Sequence, residues 1–126
     1  MFGVPYHFLA VHFPLVLVVL ALLYDARGLH DIGHRLTMGA AGGALVASAT
    51  GLMLAGGQLS QITVHAGAGL LGSFAVVALA MLRYSRKARE EEPTAGVPAT
   101  WLVLEALAAV CFVIGAFTGH RAVLGY

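Results

Sequence analysis

The sequence predicts an all-α fold, an integral membrane four-helix up-down bundle. It forms a single transmembrane domain over residues 1–126, with helices at about 5–26, 35–55, 61–84 and 99–120. Three observations carry this. The chain is 60% hydrophobic and 10% charged, whereas an ordinary soluble domain is about 25% charged. A soluble chain of 126 residues has too little interior to hide that much apolar surface. Finally, the apolar residues fall into four runs, each near the roughly 20 residues that cross a hydrocarbon core as helix, and joined by short polar connections.

The first run spans residues 5–24. Pro14 removes one backbone hydrogen bond within it, so a kink is expected near residues 10–13. The segment lacks a basic n-region, and no small-residue cleavage site follows residues 15–23, so it reads as a retained helix rather than a signal peptide. Tyr24, Asp25 and Arg27 form an interfacial boundary, with Tyr24 and Asp25 as ordinary anchors, and Gly28 stops the run. Leu29 to Arg35 read as a polar loop.

The second run, residues 36–54, is poor in bulk. Gly39 and Gly43 form a small-x-x-x-small pair that lets helices approach closely in lipid. Gly56, Gly57 and Gln58 predict a tight turn. The third run, residues 62–82, ends in Arg83, Arg86, Lys87 and Arg89, followed by Glu90, Glu91, Glu92 and Pro93, the longest polar connection. The fourth run, residues 99–117, continues as helix toward Tyr126. Short connections make neighbouring helices antiparallel. Cys111 is the single cysteine; with no second thiol it forms no internal disulfide and reads as core filler.

Charge sets the orientation. Arg27, Arg35, Arg83, Arg86, Lys87 and Arg89 share the side of the first and third connections; Arg121 alone lies on the other. The positive-inside rule makes the basic side cytoplasmic and puts both termini outside, in a bacterial inner membrane facing the periplasm. No basic, aromatic-interleaved patch is present, so nucleic acid is not an expected partner.

The histidines then acquire a side and a depth. His7 and His12 lie near the outer end of helix one, His65 near the outer start of helix three, and His120 near the outer end of helix four. At about 1.5 Å per residue, His12 lies roughly 10 Å in from Pro5, His65 roughly 7–8 Å from Ser60, and His120 roughly 9 Å from Tyr126. Helices one and three are diagonal in an up-down bundle, so His12 and His65 are expected to face each other. Gly69 and Gly72 share the helical face of His65 and leave it without bulk. An intramembrane histidine is a functional-site candidate because it is costly. The competing readings are interfacial imidazoles bonded to a carbonyl or water, and glycines serving plain helix packing.

Two imidazoles facing across a bundle suit the two axial positions of a haem iron, giving a six-coordinate electron-transfer centre. Three or four converging on one point would instead suit zinc or copper. His30 and His34, four residues apart beside Asp31 and Arg35, read as a solvated interfacial pair. Glu105 is the one acid inside a run. It is expected to be paired, with His34 or Arg35 in reach, or to snorkel toward the interface; a proton-pathway role is the sharper alternative. There is no nucleophile with a base at a recognisable spacing and no phosphate-cradling glycine loop. The chain therefore reads as an electron-transfer or accessory membrane protein rather than a stand-alone enzyme.

At Val11-His12-Phe13-Pro14, with His7 upstream, the sequence resembles a bacterial four-helix membrane family catalogued as domain of unknown function 2231. That family typically opens with a His-Pro-x-x-Val-His-Phe-Pro-type motif; Phe8 stands here where proline is common. Thr63-Val64-His65-Ala66 and Gly115-Ala116-Phe117-Thr118-Gly119-His120 look similar to its third helix and its glycine-rich end. The resemblance names no activity. Some members are joined to Rieske-type iron–sulfur domains, which implies a redox setting.

The resulting expectation is a membrane cytochrome-like protein binding b-type haem near the outer face. His12 and His65 are the axial ligands. His7 and His120 form a second pair, or hold the propionates with Arg121. Electrons pass to a redox partner or a quinol, and the chain works as a homo-oligomer or within a larger membrane complex. The rivals are a zinc or copper site at His7, His12, His65 and His120, and a non-catalytic accessory subunit packing through its small-residue faces.

Overall fold

In the computed structural model, which describes residues 3–56, 63–88 and 98–124, the chain forms four long helices. These are α1 (Gly3–Ala26), α2 (His30–Ala55), α3 (Thr63–Ala88) and α4 (Ala99–Leu124). Each has 24 or 26 residues, about 36–39 Å at 1.5 Å per residue. All four carry segments long and apolar enough to span a membrane. Gly57 and Gln58 of the expected second turn, Ser60, and Arg89 to Pro93 of the third connection lie outside the described residues.

Each helix packs on its two neighbours around a ring, so α1 lies diagonal to α3 and α2 to α4. The expected up-down bundle is the observed one. Its outer surface is apolar on every helix: Leu9, Met53, Phe74 and Val103 are all more than three-fifths exposed. Helices that are apolar all round belong in lipid rather than water.

The interior is built of small residues. Ala40, Ala44, Ala75 and Ala108 surround Val18, Val76 and Phe112. The Gly39 and Gly43 pair works as its spacing suggests. A Cβ at Gly43 would lie 2.8 Å from Phe13 Cδ1 and 3.2 Å from Pro14 Cδ; one at Gly39 would lie 3.0 Å from Leu17 Cδ1. Side chains of α1 thus seat directly on the α2 backbone. Cys111 is buried, with its Cβ 3.1 Å from where a Gly72 Cβ would stand. Across α2 and α3, Ser48 donates a 3.0 Å hydrogen bond to Ser73.

The first connection is tighter than the sequence reading had it. Gly28 takes φ 78°, its N–H bonds the Asp25 carbonyl at 3.0 Å, and the Leu29 N–H bonds the Tyr24 carbonyl at 2.9 Å. These paired bonds across a left-handed glycine form a Schellman cap. It reverses the chain within residues 27–29, so α2 starts at His30 instead of near residue 35. Asp31 in the first turn of α2 favours that early start by facing the positive end of the helix dipole. Likewise α3 runs through Arg83 and Arg86 to Ala88. Residues expected at a membrane boundary are therefore drawn into the bundle.

Candidate functional site

At the end of the bundle that carries both termini, imidazoles from the diagonal helices α1 and α3 meet. The ring facing His65 is that of His7: their centroids are 6.0 Å apart and their planes stand at 87°. The expected His12–His65 pairing rested on depths counted from Pro5 and Ser60. With α1 beginning at Gly3 and α3 at Thr63, His7 lies about 6 Å into its helix and His65 about 3 Å, while His12 lies about 13–14 Å in. His12 is half-buried on α1; His120 and Arg121 lie on the exposed side of α4 in its last turns. There the Arg121 guanidinium sits 5.8 Å from the Phe117 ring centroid.

Hydrogen bonds decide the state of each facing ring. The Thr50 hydroxyl donates its one proton to the Ala47 carbonyl at 3.0 Å. Its oxygen therefore accepts at its 2.9 Å contact with His7 Nδ1, so Nδ1 carries the hydrogen. His65 Nδ1 lies 2.7 Å from the Gly115 carbonyl oxygen, an acceptor only, so this Nδ1 is also protonated. In a neutral imidazole the lone pair then resides on Nε2. Both rings thus have Nδ1 tied to the neighbouring helix and Nε2 in the form that ligates metals, the outer-shell arrangement of metal-binding histidines.

Glycines bring the neighbouring backbones against these rings. A Cβ at Gly51 on α2 would lie 2.9 Å from His7 Cε1, and one at Gly119 on α4 would lie 2.6 Å from His65 Cε1. Gly119 and Gly115 stand one turn apart and grip His65 together. Neither Gly51, Gly119 nor Thr50 was singled out in the sequence as a site residue. The available signal was their place at the same end of the bundle as His7 and His65. Of the glycines that were singled out, Gly72 packs against Phe112, where a Cβ would come within 3.0 Å. Gly69 lines the close approach of α3 to α4, its N 3.7 Å from a Cβ built on Gly115.

Two facing imidazoles set a limited chemistry. Among the described residues no group of three or more His, Cys, Asp or Glu gathers to hold a metal ion. A closed zinc site takes four protein ligands and a catalytic one three. A haem iron takes only two, since the macrocycle brings four nitrogens of its own. With metal–nitrogen bonds of about 2.0 Å and a centroid about 1.1 Å behind each Nε2, two opposed imidazoles sharing one metal have centroids about 6 Å apart. The His7–His65 centroid distance of 6.0 Å equals that separation, in an edge-to-face arrangement with the planes at 87°.

The opposite, basic end holds a second polar cluster. Arg83 of α3 is buried, and its terminal nitrogen bonds Asp25 of α1 and, at 2.7 Å, Glu105 Oε1 of α4. Asp25 also meets His30 Nδ1 of α2 at 3.1 Å. The Arg83 guanidinium stacks 5.1 Å from the Trp101 ring centroid, and Arg86 lies 5.4 Å from the same ring. Glu105 is paired as expected, but its partner is Arg83 rather than His34 or Arg35. Asp25 is buried instead of serving as an interfacial anchor. Both differences have one cause: Arg83 points inward from α3, and its terminal nitrogen meets both carboxylates. A Cβ at Gly33 would collide with the Asp25 carboxylate, so α2 also closes over the cluster through a glycine. Comparison with family models, with characterised proteins and with solved structures finds no match for this chain, so the reading of both clusters stands on their geometry.

Proposed function

We propose that the chain is a small membrane cytochrome-like protein in which His7 and His65 hold the iron of a b-type haem near the end that carries both termini. The observation that carries this reading is the matched state of the two rings: each has Nδ1–H tied to a neighbouring helix, which leaves its lone pair on Nε2, and the ring centroids stand 6.0 Å apart. Thr50 and the Gly115 carbonyl orient the ligands and raise their basicity. A bound haem would supply one-electron transfer, with both axial positions taken by protein. His12, deeper on α1, and His120 with Arg121 on α4 are the remaining groups of that end, suited to a second ligand or to propionates. The asymmetry of Lys and Arg supports an outer, periplasmic placement of the site in a bacterial inner membrane. The electron partner would then be a protein at that face or a quinol in the bilayer.

The test is the absorption spectrum of protein purified after expression with ample haem supply. A Soret band at one haem per chain is expected, lost in His7→Ala and in His65→Ala and retained in His12→Ala. A protein without a Soret band sinks the proposal. If it instead carries stoichiometric zinc or copper, the pair is an ion site.

A further inference from the structure

We propose that Asp25, Glu105 and Arg83 form a proton-binding site at the basic end of the bundle, holding one proton between the two carboxylates and exchanging it with water through His30. This site is independent of the histidine pair at the other end.

The first argument is charge. Asp25 and Glu105 side chains are 0% exposed and Arg83 is 2% exposed. With His30 neutral, as the proton relay requires, two carboxylates and one guanidinium leave one negative charge in excess. In a low-dielectric interior an uncompensated charge costs several kcal/mol, and two carboxylates crowded into one site do not both ionise readily. Here the crowding is direct, since an oxygen of each carboxylate contacts the same terminal nitrogen of Arg83.

The second argument is a missing partner. Glu105 Oε2 and Arg83 Nε are buried and make no hydrogen bond among the described residues. An orphaned oxygen on a carboxylate bears the full cost of desolvating an anion; on a neutral carboxyl it costs much less. A proton held by the pair removes the excess charge and lowers the cost of the orphaned oxygen toward that of a neutral carboxyl. It belongs to the pair rather than to either residue.

The third argument is a route. His30 is the polar side chain that links the cluster to the surface: its Nδ1 lies 3.1 Å from Asp25 Oδ1 and its side chain is 30% exposed. A proton on Asp25 Oδ1 passes to His30 Nδ1 while His30 releases the hydrogen on Nε2 to water. The reverse sequence reloads the carboxylate pair. The charged groups around the cluster are Asp25 on α1, His30 and the half-buried His34 on α2, Arg83 and Arg86 on α3, and Glu105 on α4. Lys87, Asp31 and Arg35 lie at the exposed rim, within electrostatic reach of His34. The cations at this rim surround the mouth of the route, and none of them replaces the missing positive charge inside.

The experiment is infrared spectroscopy of the full chain in lipid bilayers at neutral pH, reading the carbonyl stretch of protonated carboxyls. The wild type is expected to show one such band per chain, shifted in D2O. Charge balance predicts that the band disappears in Glu105→Gln and equally in Asp25→Asn, since either change leaves one carboxylate matched to Arg83. His30→Gln is expected to keep the band and slow its hydrogen–deuterium exchange by on the order of a hundredfold, the scale of a lost positioned proton carrier. No band in the wild type means a static ion cluster and overturns the proposal. So does a band that persists in Asp25→Asn, or one whose exchange His30→Gln leaves unchanged.

Discussion

Replacing Arg83 with methionine removes the one positive charge shared by two buried acids while keeping a side chain of similar reach. With Asp25 and Glu105 fully buried beside it, no water can take the place of the guanidinium. Breaking a buried pair by deleting one partner costs about 3–5 kcal/mol, a factor of roughly a hundred to several thousand in the folding equilibrium. The loss is large against the total of about 5–15 kcal/mol typical of folded domains. The assay is equilibrium unfolding in mixed micelles at mildly alkaline pH, followed by helix circular dichroism and by the fluorescence of Trp101. That residue is the single tryptophan, and its ring centroid is 5.1 Å from the Arg83 guanidinium carbon, so its emission reports the cluster locally. Combining Arg83→Met with Asp25→Asn and Glu105→Gln should recover most of the loss, because the stranded charges are gone. A cost for Arg83→Met below about 1 kcal/mol, the level of a solvated surface pair, would refute the reasoning.

Two further substitutions probe the helix contacts, each with an open glycine position as control. Gly119→Ala places a methyl 2.6 Å from His65 Cε1 and 2.8 Å from Nδ1, which forces the ring off the Gly115 carbonyl. An overpacking cost of about 1–3 kcal/mol and weaker binding of the proposed haem are expected, whereas Gly67→Ala, with nothing within 4 Å of its added methyl, should leave stability and any haem binding unchanged. Gly43→Leu should separate α1 from α2, since even its Cβ stands 2.8 Å from Phe13. Thermal unfolding should show it less stable than Gly42→Leu, where the added Cβ meets nothing within 4 Å.

The architecture was legible because its signals accumulate along the chain. Four apolar runs and three connections imply an antiparallel bundle whether each helix begins at one residue or five residues later. The same tolerance does not extend to which side chains meet. One residue of error in a helix start moves a side chain by about 1.5 Å and 100°. The counts from Pro5 and Ser60 pointed to His12, whereas helix starts at Gly3 and Thr63 align His7 with His65. Arg83 is hidden in the same way: it opens a basic stretch that reads as interfacial, and only the rotation of α3 against α1 and α4 turns it onto Asp25 and Glu105.

Composition and hydropathy alone determined that this is a membrane protein, that it has four spanning helices, and that four of its six histidines lie at the end opposite most of its basic residues. Those properties are sums over many residues, and no single contact changes them. The tertiary structure decided which imidazole stands opposite His65, which hydrogen bonds place the lone pair of each ring on Nε2, and which arginine neutralises the buried acids. Those are properties of pairs, set by the axial offset and rotation of one helix against another, and they exist only once the helices have packed.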